Sequence, residues 1–287
     1  MNDQATNLRL LAAYQQPLRS EMGTPYQTIM VTGGKGGVGK SSLSLYLSYE
    51  LARAGERVLL VDSNLQNPNL HILTNCDPAY PVCYWLKENA VFEESALISL
   101  GDNLDLIGNK AVDKNHQSYY QEDGLLYLEL LQPLASRYDY VVLDTQTGLS
   151  RWNLTLLMNA DLCLLVTVSD PTSIIDTYTV IKAALPHLNE PNFRLIVNQV
   201  IDTKVGSEAH MNLNAALNHF LNYEVELLSL IPFDLDLMKA AVEQKPLWQM
   251  VRNSRMLKQV RKVAETLQRM KPAHKVQEFS QYQEVTS

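Results

Sequence analysis

Residues 34–41 read GKGGVGKS, and the reading of this run decides the fold. Gly34, Gly39, Lys40 and Ser41 have the spacing of a P-loop, in which glycine backbone wraps N–H groups around a polyphosphate. Such a loop cradles ATP with the backbone of Gly34, Lys35, Gly36, Gly37, Val38 and Gly39. Lys40 neutralises the outer phosphates, Ser41 holds Mg2+, and Ser42 continues the ligand-facing turn. A glycine- and lysine-rich surface turn would have the same composition. This run, however, follows the apolar stretch 28–31 and precedes the helical pattern 43–52. A strand, a loop and a helix in that order are the context a phosphate site requires.

Working outward, apolar runs of strand length recur at 58–61, 104–107, 140–143, 162–168, 195–197 and 227–231, with helical patterns between most of them. Strands without polar alternation suit a mostly parallel sheet covered on both faces, so the expected architecture is a doubly wound α/β domain. In such a sheet ligands bind beyond the carboxyl ends of the strands.

Composition bounds the rest. A chain of 287 residues that is 46% apolar can bury one sizeable core or two small ones, and one nucleotide-binding domain is the simpler reading. A formal charge of −7 disfavours a broad nucleic-acid-binding face. Arg252, Arg255, Lys258, Arg261 and Lys262 cluster at helical spacing, which reads as a solvated face. The three cysteines, Cys76, Cys83 and Cys163, form no CxxC pair, and Cys163 sits in an apolar run that suits a core thiol. With no long apolar run and a polar start, the chain is expected to be cytoplasmic, with at most a peripheral contact at the inner face of the membrane.

Two flanking pieces stand apart from the domain expected over 27–270. Residues 3–16, DQATNLRLLAAYQQ, place Asp3 as an N-cap, with Ala5, Leu8, Leu11 and Ala12 at helical spacing and a stop before Pro17. The spacing predicts an amphipathic helix within residues 1–16, tethered by a linker over 17–26. About four turns of helix are marginal alone in water, so this one packs on its own domain or waits for a partner. At the other end, 254–270 predicts a basic amphipathic helix lying on the sheet. The tail 271–287 is polar, with only Val276, Phe279, Tyr282 and Val285 as apolar points.

Lys35 narrows the class. A second lysine directly after the first glycine is the deviant Walker A signature, and the run resembles that of MinD/ParA-type ATPases. The resemblance implies a homodimer when ATP is bound, with each Lys35 reaching the other subunit's phosphates, and it implies catalytic roles for Lys35, Lys40, Asp62 and residue 64. After the second strand the family reads D-x-D, whereas this chain has Asp62 and then Asn64. An amide can position water but cannot usefully accept its proton, and losing a general base costs roughly 10² to 10⁴ in rate. Slow hydrolysis follows as the expectation. The strand ending in Asp144, then Thr145 to Gly148, fits a second switch in which Asp144, with Ser41 and Asp62, attends Mg2+ and the Gly148 amide senses the γ-phosphate. Asn198, Pro232 and Asp234 match the positions that read adenine in MinD-like proteins.

Two segments resemble one branch of that family, the FlhG (FleN, YlxH) regulators of flagellar number and placement. They are SDPTSIIDTYTVIK over 169–182 and DQATNLR over 3–9. The resemblance implies that the N-terminal helix engages the signal-recognition-type GTPase FlhF and stimulates its hydrolysis. Gln4 would insert towards the GTP site, with Asp3, Ala5, Leu8 and Arg9 holding the helix in place. Switch-complex and transcription-factor proteins are further candidate partners. The tail lacks a strong membrane-targeting helix. Two other readings use the same residues: an ATP-locked scaffold that does not hydrolyse, and a ParA-like positioner of DNA or cargo, which the acidic balance opposes.

Overall fold

The computed structural model describes residues 26–110, 124–243, 245 and 254–270. The expected N-terminal helix with Asp3, Gln4, Ala5, Leu8 and Arg9, the linker up to residue 25, Arg252 and the tail 271–287 lie outside the described residues.

The strands are β1 Gln27–Thr32, β2 Val58–Ser63, β3 Leu97–Gly101, β4 Leu104–Ile107, β5 Tyr140–Thr145, β6 Leu162–Thr167, β7 Phe193–Val200 and β8 Glu226–Pro232. They form one sheet of eight strands in the order β3-β4-β2-β5-β1-β6-β7-β8. All pair in parallel except β3 with β4. Each apolar run read from the sequence lies in one of these strands, except that the run 162–168 extends one residue past β6. The antiparallel edge strand β3 is the addition: its LISLG stretch is half-exposed and its pairing shifts register between Ser99 and Gly101, so it lacks the solid apolar block of the interior strands.

Helices connect them: α1 Lys40–Arg53, α2 Leu70–Thr74, α3 Val82–Glu88, α4 Gly124–Ala135, α5 Arg151–Met158, α6 Pro171–Ala184, α7 Thr203–Leu221, α8 Leu235–Val242 and α9 Arg255–Met270. The strand period of two divides the core into two layers. On one face Met30, Leu59, Val61, Leu143 and Leu165 meet Tyr127 of α4, Trp152 of α5, Ile181 of α6 and Leu213 of α7. On the other, Ile29, Val31, Leu60 and Val142 meet Leu47 and Leu51 of α1 and Val260 and Leu267 of α9.

Helix α9 covers the sheet as its amphipathic spacing predicts. Its apolar face, Met256, Val260, Val263 and Leu267, is buried. Its charges face outward, apart from Arg261, whose Nε lies 2.9 Å from the Glu50 carboxylate of α1. Glu50 is buried and also meets Arg53 at 3.2 Å, so a carboxylate that would be costly to bury alone is paired twice. Cys163 is buried and free, as its apolar run implies. Among the described residues no helix is long and apolar enough to cross a membrane.

Candidate nucleotide-binding site

Strand β1 lies between β5 and β6, where the order of strands reverses, and its carboxyl end delivers the loop 33–41 to the crevice above the sheet. Close packing explains part of the glycine content. A Cβ on Gly33 would strike the Val166 carbonyl, one on Gly34 the backbone of Asp176 in α6, and one on Gly39 the side-chain amide of Asn198. Gly34 therefore serves the approach of α6. Gly39 sits at φ 92° as the N-cap of α1 and has no side chain to offer. The first-turn amides of Lys40, Ser41 and Ser42 are left for a ligand, at the positive end of a 14-residue helix.

Lys40 points into the crevice and is buried. Its ammonium donates to the Thr147 hydroxyl at 2.9 Å and to the Lys35 carbonyl at 3.2 Å. Burial pulls its pKa below the usual lysine value, against the opposing pull of Asp144. Asp144 and Asp62 are register partners at the ends of β5 and β2, both fully buried. Burial pushes Asp144 up to about 6, against the Ser41 hydroxyl, Lys40 and the Ser44 hydroxyl, which donates to Oδ1 at 3.2 Å. Asp62 is pushed well above the carboxylate range by burial first and by the Asp144 charge second. The other oxygen of Asp144, Oδ2, is buried without a hydrogen-bond partner. An orphaned carboxylate oxygen beside the Ser41 hydroxyl, with a second carboxyl alongside, is a hard-oxygen donor set that suits Mg2+.

The turn after β2 wraps around Asp62, whose carboxylate accepts from the amides of Asn64 at 3.2 Å, Asn69 at 3.1 Å and Leu70 at 3.0 Å. Asp62 thus shapes the turn as well as standing beside Asp144. Asn64 is buried, and its Oδ1 accepts from the Asn67 amide at 3.0 Å. Its backbone carbonyl accepts from Asn109 Nδ2 at 3.4 Å, which links the turn to the start of α3 through Val82. On the second switch, the Gly148 amide donates to the Gly33 carbonyl at 3.0 Å, so the expected phosphate sensor is bonded to the phosphate loop itself.

Lys35 is held quite differently from Lys40. Its ammonium reaches away from the loop to Asp170, at 3.1 Å and 3.3 Å, and to the Thr172 hydroxyl at 2.7 Å. Asp170 also caps α6 by accepting from the Ser173 amide at 3.1 Å. The Thr172 hydroxyl first, with Lys35 and the Ser173 amide, holds Asp170 down to about 2. The 169–182 segment, read above only as a resemblance, thus supplies the partner of the signature lysine. A Ser-Asp-Pro-Thr-Ser run is legible as a helix start; its pairing with Lys35 across the sheet is not.

The remaining candidates lie on the β7 and β8 side. Asn198 donates to the Val38 carbonyl at 2.8 Å and Gln199 to the Gly37 carbonyl at 3.2 Å, so this strand end props the loop. Pro232 closes β8 opposite Val200. Asp234 accepts from the Asp236 amide at 2.9 Å and the Ser254 hydroxyl at 2.6 Å, tying the starts of α8 and α9 together. Ser44 and Gln199 belong to the site and carry no motif of their own, which is why sequence spacing misses them; Thr147 and Asp170 lie in the runs 145–148 and 169–182, whose spacing does not reveal their bonds to Lys40 and Lys35.

The sequence pattern described as the CobQ/CobB/MinD/ParA nucleotide binding domain matches residues 29–247. The antiactivator FleN of Pseudomonas aeruginosa is 28% identical over 232 residues, covering 80% of this chain and 82% of its own. The flagellum site-determining protein YlxH of Helicobacter pylori is 29% identical over 260 residues, covering 85% of this chain and 83% of its own. Among solved structures, the septum site-determining protein MinD of Pyrococcus horikoshii, complexed with Mg-ADP, superposes with a TM-score of 0.69 at 22% identity, covering 85% of this chain and 97% of that one.

Proposed function

Because the chain belongs to the CobQ/CobB/MinD/ParA nucleotide-binding family, we propose that it is an ATP-gated dimerising switch that controls the number and placement of flagella. FleN and YlxH, named for roles as an antiactivator and in determining the flagellar site, are the relatives that support the flagellar part. The carrying observation for the switch is the division of labour between two lysines. Lys40 is buried and aimed into its own loop, whereas Lys35 is half-exposed, turned outward and held by a pair that solvent reaches.

In this reading the first-turn amides and Lys40 bind the phosphates of ATP, and Ser41, Asp62 and Asp144 hold Mg2+. Held by those residues, Mg2+ would neutralise charge on the phosphates. Gly148 exchanges its bond with Gly33 for one to the γ-phosphate. Lys35 leaves Asp170 for the phosphates of a second copy. An ion pair this exposed is worth roughly 0.2 to 1 kcal/mol, so its release opposes dimerisation only weakly. Asn64 orients water without taking its proton, so hydrolysis is slow and the dimer long-lived. The alternative of an ATP-locked scaffold draws on the same residue, since the Asn64 Oδ1 is engaged by the Asn67 amide.

The N-terminal helix is the output arm. Gln4 enters the GTP site of FlhF and orients water there, as a glutamine does in other GTPases. A peptide of residues 1–20 added to FlhF tests this. Accelerated GTP hydrolysis that disappears in Gln4→Ala is the expected result, and no acceleration by either peptide or full-length protein refutes the flagellar assignment.

A further inference from the structure

Helix α5 starts just after the second switch turn, and two adjacent side chains near its start reach two different loops. Ser150 caps the helix by accepting from the Asn153 amide at 3.1 Å, and Gln146 donates to the same hydroxyl at 2.7 Å. Trp152, buried, donates its indole N–H to the Ser63 carbonyl at 3.1 Å. Ser63 stands between Asp62 and Asn64. Its hydroxyl shares a hydrogen bond with the Tyr127 phenol at 2.9 Å, and the Tyr127 ring lies 4.8 Å from that of Trp152. The first switch is therefore gripped through the backbone and the side chain of one residue.

Asn153, with no exposed surface, uses both hydrogens of its amide: Nδ2 donates to the Gln146 carbonyl at 2.7 Å and to the Gly148 carbonyl at 2.6 Å. Those carbonyls belong to the peptides on either side of the Thr147–Gly148 peptide, whose N–H goes to Gly33. One peptide is thus left to turn between two that are pinned, and Gly148, at φ 79°, is the residue type that tolerates such a turn. The Asn153 Oδ1 and Gln146 Oε1 are buried acceptors without partners, so this loop holds unused hydrogen-bonding capacity for a second arrangement.

We propose that Trp152 and Asn153 are positioning residues that couple the two switches: Asn153 confines the nucleotide response to the Thr147–Gly148 peptide, and Trp152 carries the resulting shift of α5 to Ser63. The proposal rests on the nucleotide-switch reading above. Two measurements test it. In titrations with fluorescent ATP and ADP analogues in Mg2+, Asn153→Leu should weaken ATP binding roughly tenfold, the worth of about one hydrogen bond, with ADP affinity held within about twofold. A parallel loss of both affinities, or no loss, would make Asn153 merely structural and overturn the proposal.

The second measurement is hydrogen exchange on the wild type and on Trp152→Phe, which keeps an aromatic ring but removes the indole donor and some buried volume. With a non-hydrolysable ATP analogue, but not with ADP, peptides over 61–70 and 145–153 should gain protection together in the wild type. Trp152→Phe should keep the change at 145–153 and lose it at 61–70. An undiminished change at 61–70 overturns the coupling alone. Wild-type protein that fails to distinguish ATP from ADP overturns the switch reading, and the coupling with it.

Discussion

Replacing Asp144 with asparagine should make the protein more stable near neutral pH while removing its Mg2+-dependent grip on nucleotide. The carboxyl is fully buried and its pKa is raised from 3.8 to about 6, chiefly by desolvation. A carboxyl raised in the folded state contributes stability that is whole below the unfolded value and is lost as pH rises through the folded one. From pH 7 upward the site therefore carries the whole penalty, a shift of roughly two pH units at about 1.4 kcal/mol each, or ~3 kcal/mol. Asparagine abolishes that penalty and relieves the charge beside Asp62. Against it stands the new Nδ2, placed where Oδ2 has no partner, at a cost of about 1 kcal/mol. The net gain of roughly 2 kcal/mol corresponds to a rise of about 4 to 8 °C in melting temperature for a domain of this size. Thermal unfolding in EDTA at pH 7.5 and pH 4.5 measures it. The expected result is a clear gain at pH 7.5 that shrinks at pH 4.5, together with loss of Mg-ATP binding by calorimetry. A variant less stable than wild type at pH 7.5, or a gain equal at both pH values, would refute the reasoning.

Asp170→Asn keeps an N-cap for α6 but loses the charge that holds Lys35, so the ATP concentration needed for half-dimerisation, followed by light scattering, should fall about two- to fivefold, the equivalent of roughly 0.4 to 1 kcal/mol. Asn64→Asp restores a proton acceptor two residues after Asp62, and single-turnover hydrolysis should rise by at least tenfold, towards the roughly 10² to 10⁴ that a general base contributes. An unchanged rate would separate slow turnover from the identity of residue 64. Titrating wild-type stability from pH 4 downward should reveal the opposite sign at Asp170: its pKa is held down from 3.8 to about 2, so the stability it contributes is present above pH 4 and lost as pH falls from there through about 2.

The sheet was legible because its interior strands are buried on both faces, and a buried parallel strand writes itself as an unbroken apolar run such as Ile29 to Val31 or Leu162 to Val166. Strand β3 escapes that signal because it faces solvent and carries a register shift. Within the candidate site, the positions set by local spacing were readable: Lys40 and Ser41 open the helix after the P-loop turn, and Asp62 and Asp144 each close an apolar run near the end of a strand. Contacts made across the sheet were not. The Lys35–Asp170 pair joins residues 135 positions apart, and Asn198 reaches Val38 from 160 positions away. No local pattern constrains which polar groups such distant strand ends will share. Asn64 lies between these cases: its departure from D-x-D was visible in the sequence, but the bond from the Asn67 amide to its side chain could be seen only in the fold.

In the proposed switch ATP, through Lys35, joins two copies of this chain. Light scattering after size exclusion, on protein with Mg-ATP, with Mg-ADP and on Lys35→Ala with Mg-ATP, tests it directly. A dimer with Mg-ATP, a monomer with Mg-ADP, and a Lys35→Ala protein that binds ATP yet stays monomeric are the predicted results. A wild type that stays monomeric at saturating ATP, or a Lys35→Ala variant that dimerises as well as wild type, would contradict the account.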